Sequence, residues 1–183
     1  MKKKKVNPRR IPIPKAAVDS KAILEEATAD DMYRAWLLVG NALIDLAIIP
    51  VDELPALSDE VNRFIKDTGD ERQKASEMRR AEAMMGIRKP YGVLDPSYIR
   101  SEAELKAFKS KVYKLVTFTA LCVLYLGLER SGKFDELQMK RIFLNIDLTL
   151  AEIDRGYNSY QKLEQALGEA LKSAAPEIFK QEE

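Results

Sequence analysis

Cys122 is the one thiol in this chain, and no histidine stands anywhere in it to take a proton from that thiol. A nucleophilic cysteine needs an adjacent base or a cationic setting that lowers its pKa. Leu121-Cys122-Val123-Leu124 supplies neither, so Cys122 reads as a small core hydrophobe. The lack of histidine also removes the commonest general base and metal ligand. Carboxylate doublets occur at Glu25-Glu26, Asp30-Asp31 and Asp59-Glu60, but they read as solvated helix starts, where negative charge is favoured in any case. The paired Glu-x-x-Glu and Glu-x-x-Asp spacings that hold magnesium in all-α nucleotide pyrophosphatases are absent. Gly127 and Gly132 lack the Lys-Ser or Lys-Thr of a phosphate loop. The expectation is a protein that is not an enzyme and holds no cofactor and no metal.

Binding chemistry is better represented. The first fifteen residues carry Lys2, Lys3, Lys4, Lys5, Arg9, Arg10 and Lys15 and no acid. Without those seven, 23 bases face 29 acids, so a +7 arm is joined to a body of net charge −6. Clustered cations neutralise phosphates and release counterions, an attraction that is sensitive to salt and blind to sequence. Arg9 and Arg10 present planar forks suited to defined contacts. RNA or DNA, an acidic protein surface, or mere solubility would each account for the arm. A second group, Arg72, Arg79, Arg80, Arg88 and Lys89 with Tyr91 and Tyr98, is a partner-binding candidate, because Arg and Tyr are enriched at interface hot spots. Met78, Met84 and Met85 form a thin apolar face that could repack against a partner. The competing reading is a surface helix on which Glu71, Glu77 and Glu82 pair with those bases at helical spacing.

The elements that must position these residues are helical. Ala, Leu, Glu and Lys dominate the composition, and alternating β-branched runs are hard to find. Three prolines keep residues 1–15 extended. From Ala16 an apolar periodicity near 3.6 runs to Ile49, with a break near Ala29-Asp30-Asp31 and a stop at Pro50. Shorter helices are expected around Leu54 to Ile65 and Asp70 to Met85. The one clear internal loop spans 87–98. Ser101-Glu102-Ala103-Glu104 is a capping-box signal for a long helix ending at Ser131-Gly132. Two more helices follow, Phe134 to Arg155 and one capped by Asn158 with Gln161 as partner. The apolar run Leu115 to Leu128 is short of the roughly 20 residues a bilayer requires, and Trp36-Leu37-Leu38-Val39 also reads as core. The fold expectation is an all-α, compact bundle of about six helices (16–183) behind an extended basic arm (1–15).

Met32-Tyr33-Arg34 and Val112-Tyr113-Lys114 open similar apolar helices. Each leads to an Asp-Glu-Leu, at Asp52-Glu53-Leu54 and Asp135-Glu136-Leu137, and then to an Asp-x-Gly, Asp67-Thr68-Gly69 and Asp154-Arg155-Gly156. The pattern suggests two pseudo-repeated three-helix halves, 16–86 and 99–175, joined by loop 87–98.

Val6-Asn7-Pro8-Arg9-Arg10 with the apolar helix behind it, together with Phe118-Thr119-Ala120 through Glu129, Met139-Lys140-Arg141-Ile142 and Ala151 through Tyr157, resembles a family of small helical phage and prophage proteins of Gram-positive bacteria. The similar segments cover about half the chain and leave 50–100 unmatched. The family has no established activity, so the resemblance implies a phage origin and an accessory role. Two readings follow. In the first, this is a non-enzymatic interaction protein binding a host protein or ribonucleoprotein, as an anti-CRISPR-like counter-defence inhibitor would. In the second, it is a nucleic-acid-binding accessory factor for phage replication, packaging or transcription. A single cysteine forbids an intrachain disulfide and points to the reducing cytoplasm of a bacterial host. No membrane association is expected, and a homodimer is open.

Overall fold

The computed structural model describes residues 19–66, 71–90 and 94–174. Among them the chain is all-α. Its helices are α1 (Ser20–Ala29), α2 (Asp31–Asp45), α3 (Leu54–Lys66), α4 (Glu71–Met84), α5 (Glu102–Ser131), α6 (Glu136–Arg155) and α7 (Tyr160–Ala174), with 3-10 turns at Val51–Glu53 and Pro96–Tyr98. The arm lies outside the described residues.

Local chemistry explains most helix ends. The Asp19 carboxylate accepts from the Lys21 and Ala22 N–H groups and starts α1. Ser101 Oγ accepts the Glu104 N–H as expected, but the Glu104 carboxylate reaches one residue further back, to the Arg100 N–H at 2.7 Å. Asp135 and Gln138 form a full reciprocal capping box on α6. At α7 the cap is Ser159 rather than Asn158. Ser159 Oγ accepts the Lys162 N–H at 3.2 Å, while the Asn158 side chain accepts only from its neighbour's N–H. The apolar pattern carries α2 to Pro50, yet the helix ends at Asp45. Ala47 takes φ 49°, the Ile48 N–H donates to Leu43 and the Ala47 N–H to Ile44. That bond pair closes a helix in a left-handed turn, a place usually held by Gly. Ile48 packs against the core directly after it.

The packing is exchanged between the two halves. α5 lies against α1, α2, α3 and α4, whereas α2 lies against α5, α6 and α7. Each half's long helix is thus covered by the later helices of the other half. One main core cluster draws on both, with Leu38, Leu43, Leu57, Leu121, Leu124, Phe143 and Ile146 among its most buried side chains. A smaller cluster joins Ile23 and Ala27 of α1 to Phe108, Val112 and Val116 of α5. Leu37, Leu38 and Val39 are buried, and Trp36 packs on the main core partly buried. α5 is long and apolar enough to cross a membrane, but 67% of its apolar window is buried by the other helices, the setting of a core helix.

Polar contacts pin the exchange. Buried Asn41 donates to the Leu37 carbonyl at 2.7 Å and to the Leu163 carbonyl at 3.1 Å, tying α2 to α7. Arg80 grips Glu129 with both nitrogens at 2.6 and 2.5 Å, and Arg130 reaches Glu77 at 2.5 Å, so α4 is latched to the end of α5. Gly127 lies inside α5, where that helix crosses α3. A β-carbon there would sit 2.5 Å from Val61 Cγ1.

Candidate partner-binding cleft

A concavity of about 720 Å³ opens where the start of α2, the segment 87–90, the middle of α5, the second half of α6 and the start of α7 converge. Its lining divides by chemistry. Ile87, Phe118, Leu150 and Ile153 give an apolar surface; Arg34, Arg88, Lys89 and Lys114 give four cations; Asp147 and Asp154 are the acids.

The two tripeptides singled out as repeat openers meet at this cleft. The Arg34 guanidinium lies 4.6 Å from the Tyr113 ring centroid and 5.8 Å from that of Tyr160, the geometry of a cation–π contact. Lys89 Nζ stands 6.0 Å from the Phe118 ring. The tyrosines are themselves held in place. Burial raises the Tyr160 hydroxyl's pKa, with neighbouring Thr117 acting in the opposite direction. The Tyr113 pKa is raised by burial and by its bond to Glu26. With both pKa values raised, these rings stay neutral at ordinary pH.

Each of three cations has a nearby carboxylate. Lys114 pairs with Asp154 at 2.7 Å, Lys89 with Glu82 at 2.6 Å and Arg34 with Asp30 at 3.4 Å. A bare polyphosphate chain would compete with those carboxylates. The acidic flanks of a protein segment would face the same competition, but its apolar side chains would also find Phe118 and Ile153.

Of the sequence-predicted group, Arg88 and Lys89 reach this cleft. Arg80 is engaged in its fork with Glu129, and Arg79 lies exposed on α4. Tyr91 and the arm residues Lys2, Lys3, Lys4, Lys5, Arg9, Arg10 and Lys15 lie outside the described residues, as do the side chains of Arg72 and Tyr98. Of the α4 acids, Glu77 and Glu82 reach Arg130 and Lys89, outside the helix, and the Glu71 side chain lies outside the described residues. The methionine face turns inward, with Met85 buried and Met78 packed on the core, leaving Met84 exposed. Sequence reasoning missed Arg34, Tyr113 and Tyr160 as site residues. The repeat motif had marked the first two, but only as helix openers.

Cys122 is wholly buried, and burial pushes its thiol up to about 12, far from a thiolate at neutral pH. Among the described residues no group of three or more metal-binding side chains comes together. The chain matches no protein-family model, no curated protein and no solved structure.

Proposed function

We propose that this chain is a non-catalytic, phage-type interaction protein that captures a segment of a host protein or nucleoprotein in the cleft, as a counter-defence inhibitor would. Occluding a surface requires shape and anchoring groups but no reactive side chain, which suits a chain without histidine whose one thiol is buried. The observation that carries the reading is the joining of an apolar floor to cations that already have carboxylate partners. The apolar floor offers a protein segment an anchor that a bare nucleic-acid backbone cannot use, while the paired cations favour neither.

The alternative, a nucleic-acid-binding accessory factor, draws on the seven cations of the arm and on the Arg34–Tyr113 stack, a surface on which a base could lie. Affinity capture from a nuclease-treated bacterial lysate separates the two. The wild-type chain is expected to retain a protein partner that is lost when Ser110, an exposed cleft residue, is changed by Ser110→Trp. Capture of nothing once nucleic acid is removed, or equal capture by both chains, would refute the cleft reading.

A further inference from the structure

Along α6 the residues Leu137, Arg141, Leu144, Leu148, Ala151 and Arg155 recur at spacings of four and three, the alternation of a coiled-coil seam. This stripe lies opposite the core-facing Met139, Ile142, Phe143 and Ile146, so the chain's own bundle leaves its leucines uncovered, while Ala151 at its edge is partly buried. Its three leucines are 66%, 61% and 59% exposed. Scattered single leucines on a surface need no explanation, but three on one seam, interrupted once by Arg141, form an apolar stripe.

We propose that this face of α6 is a self-association surface on which a second copy of this chain lays its own α6 antiparallel, about a dyad at the level of Ile146. The charges decide both the occupant and its direction. In register and parallel, the seam would stack Arg141 on Arg141 and Arg155 on Arg155. Antiparallel, Leu144 meets Leu148, and Leu137 meets the aliphatic stem of Arg155. On one flank Arg141 then faces Glu152, and on the other Lys140 faces Asp154. Symmetry makes each of these contacts twice. Lys140 and Asp154 already pair within their own chain, with Glu136 and Lys114, but all four side chains are 47% exposed or more and can join a shared network. Opposed helix directions also align the macrodipoles favourably. The dyad stands perpendicular to the plane of the two helices and keeps the same flank of each on one side. Asp147 and Asp154 line the clefts from that flank, so both clefts would open toward one face of the dimer. The proposal does not need a partner in the clefts, but Ala151 and Asp154 belong to both surfaces.

Sedimentation equilibrium of the full chain is the test. The wild type is expected at twice the 20.8 kDa chain mass. Leu144→Glu with Leu148→Glu should give a monomer of unchanged helicity, because both positions are exposed. Arg141→Glu and Glu152→Arg should each raise the dissociation constant about 10-fold or more, and the two together should restore it. A wild-type chain that stays monomeric at about 1 mM, an association weaker than about 4 kcal/mol, overturns the proposal. A dimer indifferent to the leucine pair, or single charge reversals that the double variant does not rescue, overturns it equally. A monomer that loses a captured host protein with the leucine pair would assign the face to a foreign partner instead.

Discussion

Gly127→Ala tests the crossing on which the whole exchanged packing depends. On an isolated helix the change should help, since Ala is favoured over Gly by about 0.8–1 kcal/mol in a helix interior. In this fold the new methyl carbon would lie 2.5 Å from Val61 Cγ1, against a comfortable carbon–carbon separation of about 3.5–4.0 Å. Val61 cannot swing aside easily. It is wholly buried, and a β-branched side chain in a helix has one strongly preferred rotamer. The Val61 carbonyl at 3.5 Å and Ile65 Cγ1 at 3.4 Å limit how far α3 can slide. Overpacking of this kind costs about 1–3 kcal/mol, so the net effect is a loss of roughly 1 kcal/mol despite the gain in propensity. Val61→Ala alone should cost about 2 kcal/mol in lost burial and cavity. In that background Gly127→Ala becomes stabilising, because the added methyl enters the space vacated. The cycle therefore predicts a coupling of about 2 kcal/mol, measured by urea unfolding followed by circular dichroism with an unchanged m-value. Additive effects, or a Gly127→Ala variant stabilised by the full propensity gain in the wild-type background, would refute the crossing.

Other outcomes follow from single sites. Ala47→Gly should raise the melting temperature by about 2–4 °C, the equivalent of ~1 kcal/mol in a chain of this size, because it relieves a left-handed alanine at an exposed position. Cys122 should react with a thiol reagent at pH 8 about 1,000-fold more slowly in the native than in the unfolded chain, from the thiolate fractions alone; rapid native labelling would contradict its burial. The same raised thiol pKa contributes stability that is complete below the unfolded value of 9 and lost as pH rises toward 12. The Arg80 hydrogen bond holds the Glu129 carboxyl below its ordinary value of 4.5, so its contribution is present above that pH and lost as pH falls through the lowered value. Arg80→Met should therefore cost up to about 1 kcal/mol near neutrality, where the pair is half exposed and screened. The difference should vanish in acid.

Much of the fold was legible because helix signals are local. The Ser101 cap, the stop at Gly132 and the buried run through Leu121 and Cys122 depend on residues within one or two turns of each other. Helix ends were less legible where tertiary packing decides. Ala47 gives no sign of a left-handed terminus, since the sequence offers alanine where glycine is usual, and the apolar pull of Ile48 and Ile49 acts through the core. Asn158 and Ser159 are adjacent and equally good caps on paper, and only backbone geometry chooses between them. The cleft was legible in fragments. Arg88 and Lys89 stood out on a loop, but Arg34, Tyr113 and Tyr160 belong to three helices, and nothing in their spacing tells that the exchange of halves brings them together. The exposed leucines of α6 were hidden for the opposite reason. In the sequence they share one amphipathic run with Ile142 and Ile146, and only the packing shows which stripe faces inward.

Differential lysine acetylation, read by mass spectrometry with and without the captured partner, tests the cleft most directly. Lys89 and Lys114 line it and are half exposed in the free chain, while Lys106 and Lys111 lie exposed on the same long helix outside it. The account predicts that Lys89 and Lys114 become protected while Lys106 and Lys111 keep their reactivity. Protection confined to Lys2, Lys3, Lys4, Lys5 and Lys15, with Lys89 and Lys114 unchanged, would contradict it and return the binding function to the arm.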